Sequence, residues 1–189
     1  MRILIAGILG AIAMFIWSFI AHMATPLATI GFQPLPNEQA VVAAMQPTNS
    51  AKPGLYIMPW VDPKDPQMMQ KTADLMKTEG AGIVVYTPPH AAGGDPTNMV
   101  PMLVVEFLKQ FAQALIAAYL VSMMVVTTFL GRAGAVALIA VSAGIATNVS
   151  YWNWYRFPLD YTLAQILMEI VGGLAAGLAI AWWLGRKTA

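Results

Sequence analysis

The chain has 189 residues, 58% of them hydrophobic and 10% charged, with a formal net charge of +1 and no cysteine. That charged share is far below the roughly 25% of an ordinary soluble domain, so water is not its main solvent. The near-neutral balance offers nucleic acid no basic surface, and without cysteine there is no disulfide, thiolate metal site or thiol nucleophile.

Four apolar stretches, residues 3–23, 102–130, 133–150 and 161–184, dominate the chain. Each can cross a hydrocarbon core of roughly 30 Å, which takes about 20 helical residues. The predicted fold is therefore a membrane all-α architecture: a four-transmembrane-helix bundle with a small extracytoplasmic α/β insert between the first two helices. Residues 1–23 form the first span. Arg2 ahead of an apolar run has the look of a secretory signal, but the run continues through Ile20 and Ala21-His22-Met23 is a poor cleavage site, so an uncleaved anchor is expected.

Residues 24–101 make up the insert. Asn37 is placed to cap a helix from Glu38 to Gln46, which Pro47 stops. Residues 54–60 read as a strand, 65–79 as a helix with Pro66 at its first position, and 82–87 as a second strand. Strand, crossover helix and strand predict a parallel βαβ unit. A core this small is marginal alone, so the insert is expected to rest on the membrane surface or on a partner. The Gly- and Pro-rich residues 88–101 read as a tether, with Gly93-Gly94-Asp95-Pro96 as a turn. Residues 102–130 and 131–150 are the second and third spans. Residues 151–160 are an aromatic extracytoplasmic loop, and 161–189 are the fourth span and cytoplasmic tail.

Arg2, Arg132, Arg186 and Lys187 fall on one side of this topology with no acidic residue among them. By the positive-inside tendency that side is cytoplasmic, both termini included, and residues 24–101 are periplasmic. Small residues four apart, Ala6 and Gly10, Gly131 and Ala135, Ala140 and Gly144, Gly173 and Gly177, allow helix backbones to approach closely, and the expected contacts lie within one chain.

Counting helical rise from the cytoplasmic ends puts polar residues of all four spans in the outer third. Ser18 and His22 lie ~22 and ~28 Å up the first span, Gln113 and Lys109 ~25 and ~31 Å up the second. Asn148 lies ~22 Å up the third, and Glu169 and Gln165 ~22 and ~28 Å up the fourth. Glu106, Lys109, Gln110 and Gln113 form one stripe, in which Glu106 and Lys109 are expected to make a surface pair at i,i+3. Glu169 stands among Ile166, Leu167, Ile170 and Val171, where a charge needs a partner or a proton. His22, Lys109 or Asn148 is its expected partner in a structural polar clamp; a proton relay or a ligand site is the alternative.

His22-Met23 offers imidazole and thioether, ligands for haem, a pigment or copper. Neighbouring helical side chains point about 100° apart, and the other histidine, His90, lies in the tether. A hydrogen-bonded histidine near a helix end is expected, with no metal or cofactor. Met68-Met69 and Met123-Met124 read as packing residues. Tyr151, Trp152, Trp154, Tyr155 and Arg156 read as interfacial anchors. Alternatively they form a stacked surface for a ring-bearing lipid, quinone or cofactor, with Arg156 as an anion contact and residues 53–60 as its cover.

His22-Met23 at the end of the first span, Pro53-Gly54-x-Tyr56 in the insert and Tyr151-Trp152-Asn153-Trp154-Tyr155 before the last span form, taken together, one arrangement that covers most of the chain. It is similar to small four-span bacterial inner-membrane proteins of uncharacterised function. The resemblance implies a bacterial inner-membrane location and no particular activity, substrate or catalytic residue. No nucleophile elbow, metal-spaced histidines, phosphate-binding glycine loop or dinucleotide fingerprint is present in the sequence.

The expectation is a non-catalytic accessory or structural subunit of a larger membrane complex, in contact with the lipid bilayer and other subunits. The alternative is a binding or transport module for a small lipophilic or protonatable ligand, centred on Glu169. A third reading, a membrane enzyme, would use Glu169 and His22 as acid and base.

Overall fold

The computed structural model describes residues 1–45, 52–89, 95 and 97–186. It divides into a helical unit, residues 1–32, 99–153 and 157–189, and an insert unit, residues 33–98 and 154–156. The stop at Pro47, the turn at Gly93-Gly94-Asp95-Pro96, His90 and Lys187 involve positions outside the described residues.

The helical unit contains α1 (Arg2–Met23), and the insert unit contains α2 (Glu38–Met45), β1 (Gly54–Met58), α3 (Met68–Glu79) and β2 (Gly82–Tyr86). The helical unit resumes with α4 (Val100–Met123), α5 (Phe129–Tyr155) and α6 (Leu159–Leu184). The described residues are mostly helical, with one two-stranded sheet among them. Helices α1, α4, α5 and α6 are each long and apolar enough to cross a membrane, the make-up of a multi-pass membrane protein.

The interior of the helical unit is made of small side chains. Ala6, Ala11, Ala114, Ala117, Ala118 and Ala176 are buried together with Val121, Val136 and Ile180. Ile8, Ile12, Ile16, Leu138, Leu163 and Leu167 are exposed. This inversion of a soluble core suits lipid, where close backbone packing rather than water exclusion draws helices together. Helix α1 packs on both α4 and α6. The approach of α5 to α6 depends on glycine: a Cβ at Gly173 would fall inside the Ala140 methyl group, and one at Gly177 would lie 2.6 Å from the Ala133 carbonyl oxygen.

At one end of this unit the arginines converge on backbone. Arg2 Nη2 donates to the carbonyls of Leu184 (2.8 Å) and Arg186 (2.7 Å), capping the orphan carbonyls at the end of α6. In return Trp183 Nε1 donates to the Arg2 carbonyl at 3.2 Å. Arg186 stacks over the Trp182 ring at 4.0 Å.

The second and third spans divide earlier than hydropathy predicts. Helix α4 ends at Met123, not Leu130, because Val125-Val126-Thr127-Thr128 is β-branched throughout and Thr128 starts a new helix. The Thr128 hydroxyl accepts from the Gly131 N–H at 3.2 Å, the N-cap to N3 contact. Residues 129–132 thus belong to α5, and Gly131 packs in this turn rather than between helices. The aromatic loop is likewise a correction: Tyr151 to Tyr155 form the last turns of α5. Arg156, at φ 62°, ends the helix and Pro158 precedes the next. The aromatic cluster of the helical unit runs instead from Phe32 to Tyr161, Phe157 and Tyr151, with centroids 5.6, 5.5 and 5.2 Å apart. Gly31, at φ 82°, lets the chain pass Tyr161, whose Cβ would lie 2.5 Å from an added Cβ.

In the insert unit β1 and β2 pair antiparallel, with Gly54 opposite Tyr86 and Met58 opposite Gly82. The predicted parallel βαβ unit is overturned. Because Met58 faces Gly82, the connection carrying α3 leaves and returns at the same end of the sheet and needs no crossover. Helix α3 starts at Met68, so Pro66 precedes it, and Gly80 at φ 80° ends it. Asp65 pairs with Lys71 and accepts from the Gln67 N–H, and this hydrogen bonding, the Lys71 ammonium first, holds its carboxyl below the usual range. No residue of α2, β1 or α3 is buried.

Candidate functional site: a polar cleft in the helical unit

Away from the arginines, α1, α4 and α6 enclose a cleft of about 110 Å³. Periodicity puts one face of each helix into it: Met14, Trp17, Ser18, Ala21 and His22 from α1, Glu106, Lys109, Gln110 and Gln113 from α4, Gln165, Met168, Glu169 and Gly172 from α6. Ser18, His22, Glu106, Lys109, Gln113, Gln165 and Glu169 are therefore brought together. Asn148 is not among the lining residues. It is 8% exposed, and its amide donates to the Gly144 carbonyl of its own helix at 2.9 Å.

The earlier end of α4 changes the depths. Measured from Met123, Gln113 is only ~15 Å along the helix and Lys109 ~21 Å, while Glu169 remains ~22 Å from Leu184. The cleft thus reaches from the outer part of the spans toward their middle. Its inner side is fixed by Trp17, whose indole N–H donates to the Met168 carbonyl at 2.9 Å. The ring lies against Gly172, where an added Cβ would come within 3.2 Å of Trp17 Cδ1.

The polar groups are unevenly matched. Glu106 Oε1 accepts from Lys109 Nζ at 2.8 Å and from Gln110 Nε2 at 2.8 Å. Lys109 and Glu106 are 52% and 35% exposed, so this i,i+3 pair is an ordinary superficial one. Gln110 is only 4% exposed, and its Oε1 is buried without a partner. Exchanging its amide atoms would turn a carbonyl toward the Glu106 carboxylate, so the orphan must be the acceptor. His22 Nδ1–H donates to the Ser18 carbonyl at 2.8 Å, which leaves Nε2 as the ring's free nitrogen.

Glu169 makes none of the contacts expected of it. Lys109 is engaged by Glu106, His22 by Ser18 and Asn148 by Gly144. Among the described residues no protein donor reaches its carboxylate, so the polar clamp is not formed. Its stem backs onto α5, where an added Cβ at Gly144 would lie 3.4 Å from Glu169 Cβ. With Glu106 matched by Lys109, Glu169 is the carboxyl of the lining that has no partner among the described residues. The buried unmet atom is an acceptor, Gln110 Oε1, and the half-buried Glu169 adds carboxyl oxygens to the same lining, so the cleft offers acceptors to a donor group.

Gln110 belonged to the recognisable α4 stripe, but nothing local marked it as the buried member. Trp17, Met168 and Gly172 carry no signal in sequence, because their meeting depends on how α1 and α6 pack. The alternative aromatic surface does not contribute here, since Tyr151 and Trp152 are absent from the lining. Among the described residues no three of His, Asp and Glu gather in a metal-holding group. In comparisons with protein families, with characterised proteins and with solved structures, none matches this chain.

Proposed function

We propose that the helical unit is a non-catalytic binding module for a small protonatable ligand, one that presents an ammonium group to the cleft. The observation carrying this reading is that one lining between three helices holds both the buried, unpartnered Gln110 amide oxygen and the half-buried Glu169 carboxyl, to which no described residue donates. An unmet buried acceptor costs about 1–3 kcal/mol, which a donor from water or ligand offsets. An ammonium supplies three donors and a positive charge together. Transport of the same ligand is the natural extension, since the acceptors reach toward the middle of the spans.

The test uses the full-length protein in lipid nanodiscs, titrated with propylammonium or with propanol. Propylammonium should raise the thermal unfolding midpoint, by the equivalent of about 2.7 kcal/mol at a hundred times its Kd. Propanol should not, and Glu169→Gln, with binding about tenfold weaker, should cut the response to about half at the same concentration. Equal responses to both compounds, or an undiminished response in Glu169→Gln, would refute the reading.

A different observation favours a second role, as an accessory subunit of a larger assembly. Leu55, Ile57, Met58, Trp60 and Val85 of the insert unit are exposed, and no residue of α2, β1 or α3 is fully buried. Apolar surface of this kind is ordinarily covered by a partner. We propose a bacterial inner membrane location with the arginine end cytoplasmic and the insert periplasmic, where another subunit covers it. Isolated monomers alone, after mild detergent extraction from the native membrane, would count against this role.

A further inference from the structure

We propose a second binding site at the arginine end of the helical unit, one that holds the phosphate group of an anionic phospholipid. A cavity of about 250 Å³ there is lined by Arg2, Ile3, Ser122, Arg132 and Leu184, so the ends of α1, α4, α5 and α6 all contribute. It is separate from the polar cleft in place and in residues, and it does not rest on the reading of that cleft.

Two guanidinium groups share this space. Arg2 is held by the bonds of Nη2 to the Leu184 and Arg186 carbonyls, and its Nη1 and Nε hydrogens remain. Arg132 is held by the bond from Nε to the Val126 carbonyl at 3.1 Å, and both its Nη groups remain. Neither is in an ion pair: among the described residues the ion pairs are Lys71 with Asp65, Lys77 with Asp74 and Lys109 with Glu106. Like charges in one cavity repel unless an anion lies between them, and forks already fixed by backbone carbonyls lose little freedom on receiving one.

The shape of the surroundings selects the anion. Arg2 and Arg132 mark the boundary of the apolar spans, the level of lipid phosphates, while Ile3 and Leu184 supply an apolar wall for the glycerol and first acyl carbons. Basic pockets between membrane helices receive anionic head groups in this manner. A phosphodiester presents two non-bridging oxygens, sharing one negative charge, to two guanidinium forks, and in an anionic phospholipid no headgroup cation neutralises that charge.

The full-length protein in nanodiscs of equal phosphatidylglycerol and phosphatidylcholine, released into native mass spectrometry, tests the proposal. The wild type should retain phosphatidylglycerol about tenfold over phosphatidylcholine, the effect of one charge-assisted contact pair. Arg132→Gln should bring that ratio near one and Arg132→Lys to an intermediate value. Arg186→Gln should leave it within about twofold, because Arg186 stacks on Trp182 outside the lining. Equal retention of both lipids by the wild type overturns the site without recourse to any variant, and equal losses in Arg132→Gln and Arg186→Gln reduce it to unspecific attraction. Inorganic phosphate added to saturation should not displace the lipid. Full displacement, with stabilisation by phosphate in phosphatidylcholine alone, would assign the site to free phosphate and overturn the lipid.

Discussion

At one end of the helical unit Arg2 and Arg132 carry N–H groups beyond those their backbone carbonyls receive, with no carboxylate paired to them. Nearer the middle of the spans, Gln110 and Glu169 carry acceptors that no donor among the described residues meets. The contrast shows where selectivity sits in a bundle of this kind. Its helix–helix seams are alanine and glycine packed against one another, which specifies only that the helices come close. Its basic end and its polar cleft are where polar groups are left unmatched, with opposite needs: an anion at the first, a donor cation at the second.

The comparison can be broken at both sites together by separating the helices. Gly173→Leu places a side chain where the Ala140 methyl lies, and should cost about 3 kcal/mol or more, seen as loss of the folded monodisperse protein in size exclusion. Arg2→Gln attacks the basic end alone. Removing the donor of the exposed Leu184 and Arg186 carbonyls should lower stability by about 0.5–1.5 kcal/mol in thermal unfolding while the propylammonium response persists.

Thr128→Ala removes the cap that restarts the chain as α5, and should cost about 1 kcal/mol in the same measurement. The smallest effect lies outside both sites, at Asp65 in the insert. Its carboxyl is held below the ordinary value of 3.8, so its contribution is full above that value and is lost as pH falls through the lower folded one. Lys71→Ala should move the Asp65 titration, followed by carboxyl NMR, back toward 3.8 without altering either site of the bundle.

The spans were readable from hydropathy because lipid demands unbroken apolar helices, but their limits were not. Val125, Val126, Phe129 and Leu130 keep the average apolar across the α4–α5 break, and only the Thr128 cap divides it. The aromatic run 151–155 is helical for a similar reason: nothing in it stops a helix before Arg156 and Pro158. Strand direction in the insert was hidden because a strand–helix–strand order is compatible with either sense when the connection returns to the same end. In the cleft, rise and i,i+4 spacing located Ser18, His22, Glu106, Lys109, Gln113, Gln165 and Glu169 on facing helices. They could not rank burial, so Gln110 was one member of a stripe and Glu169 was assigned partners that bond elsewhere.

The central claim, that Gln110 and Glu169 receive one donor together, is tested most directly by a double-mutant cycle on propylammonium affinity with Gln110→Leu and Glu169→Gln. The single changes should each weaken binding about tenfold, and the double change should be no worse than roughly the stronger single, a coupling of about 1 kcal/mol or more. Fully additive losses, or binding indifferent to both changes, would contradict a shared site.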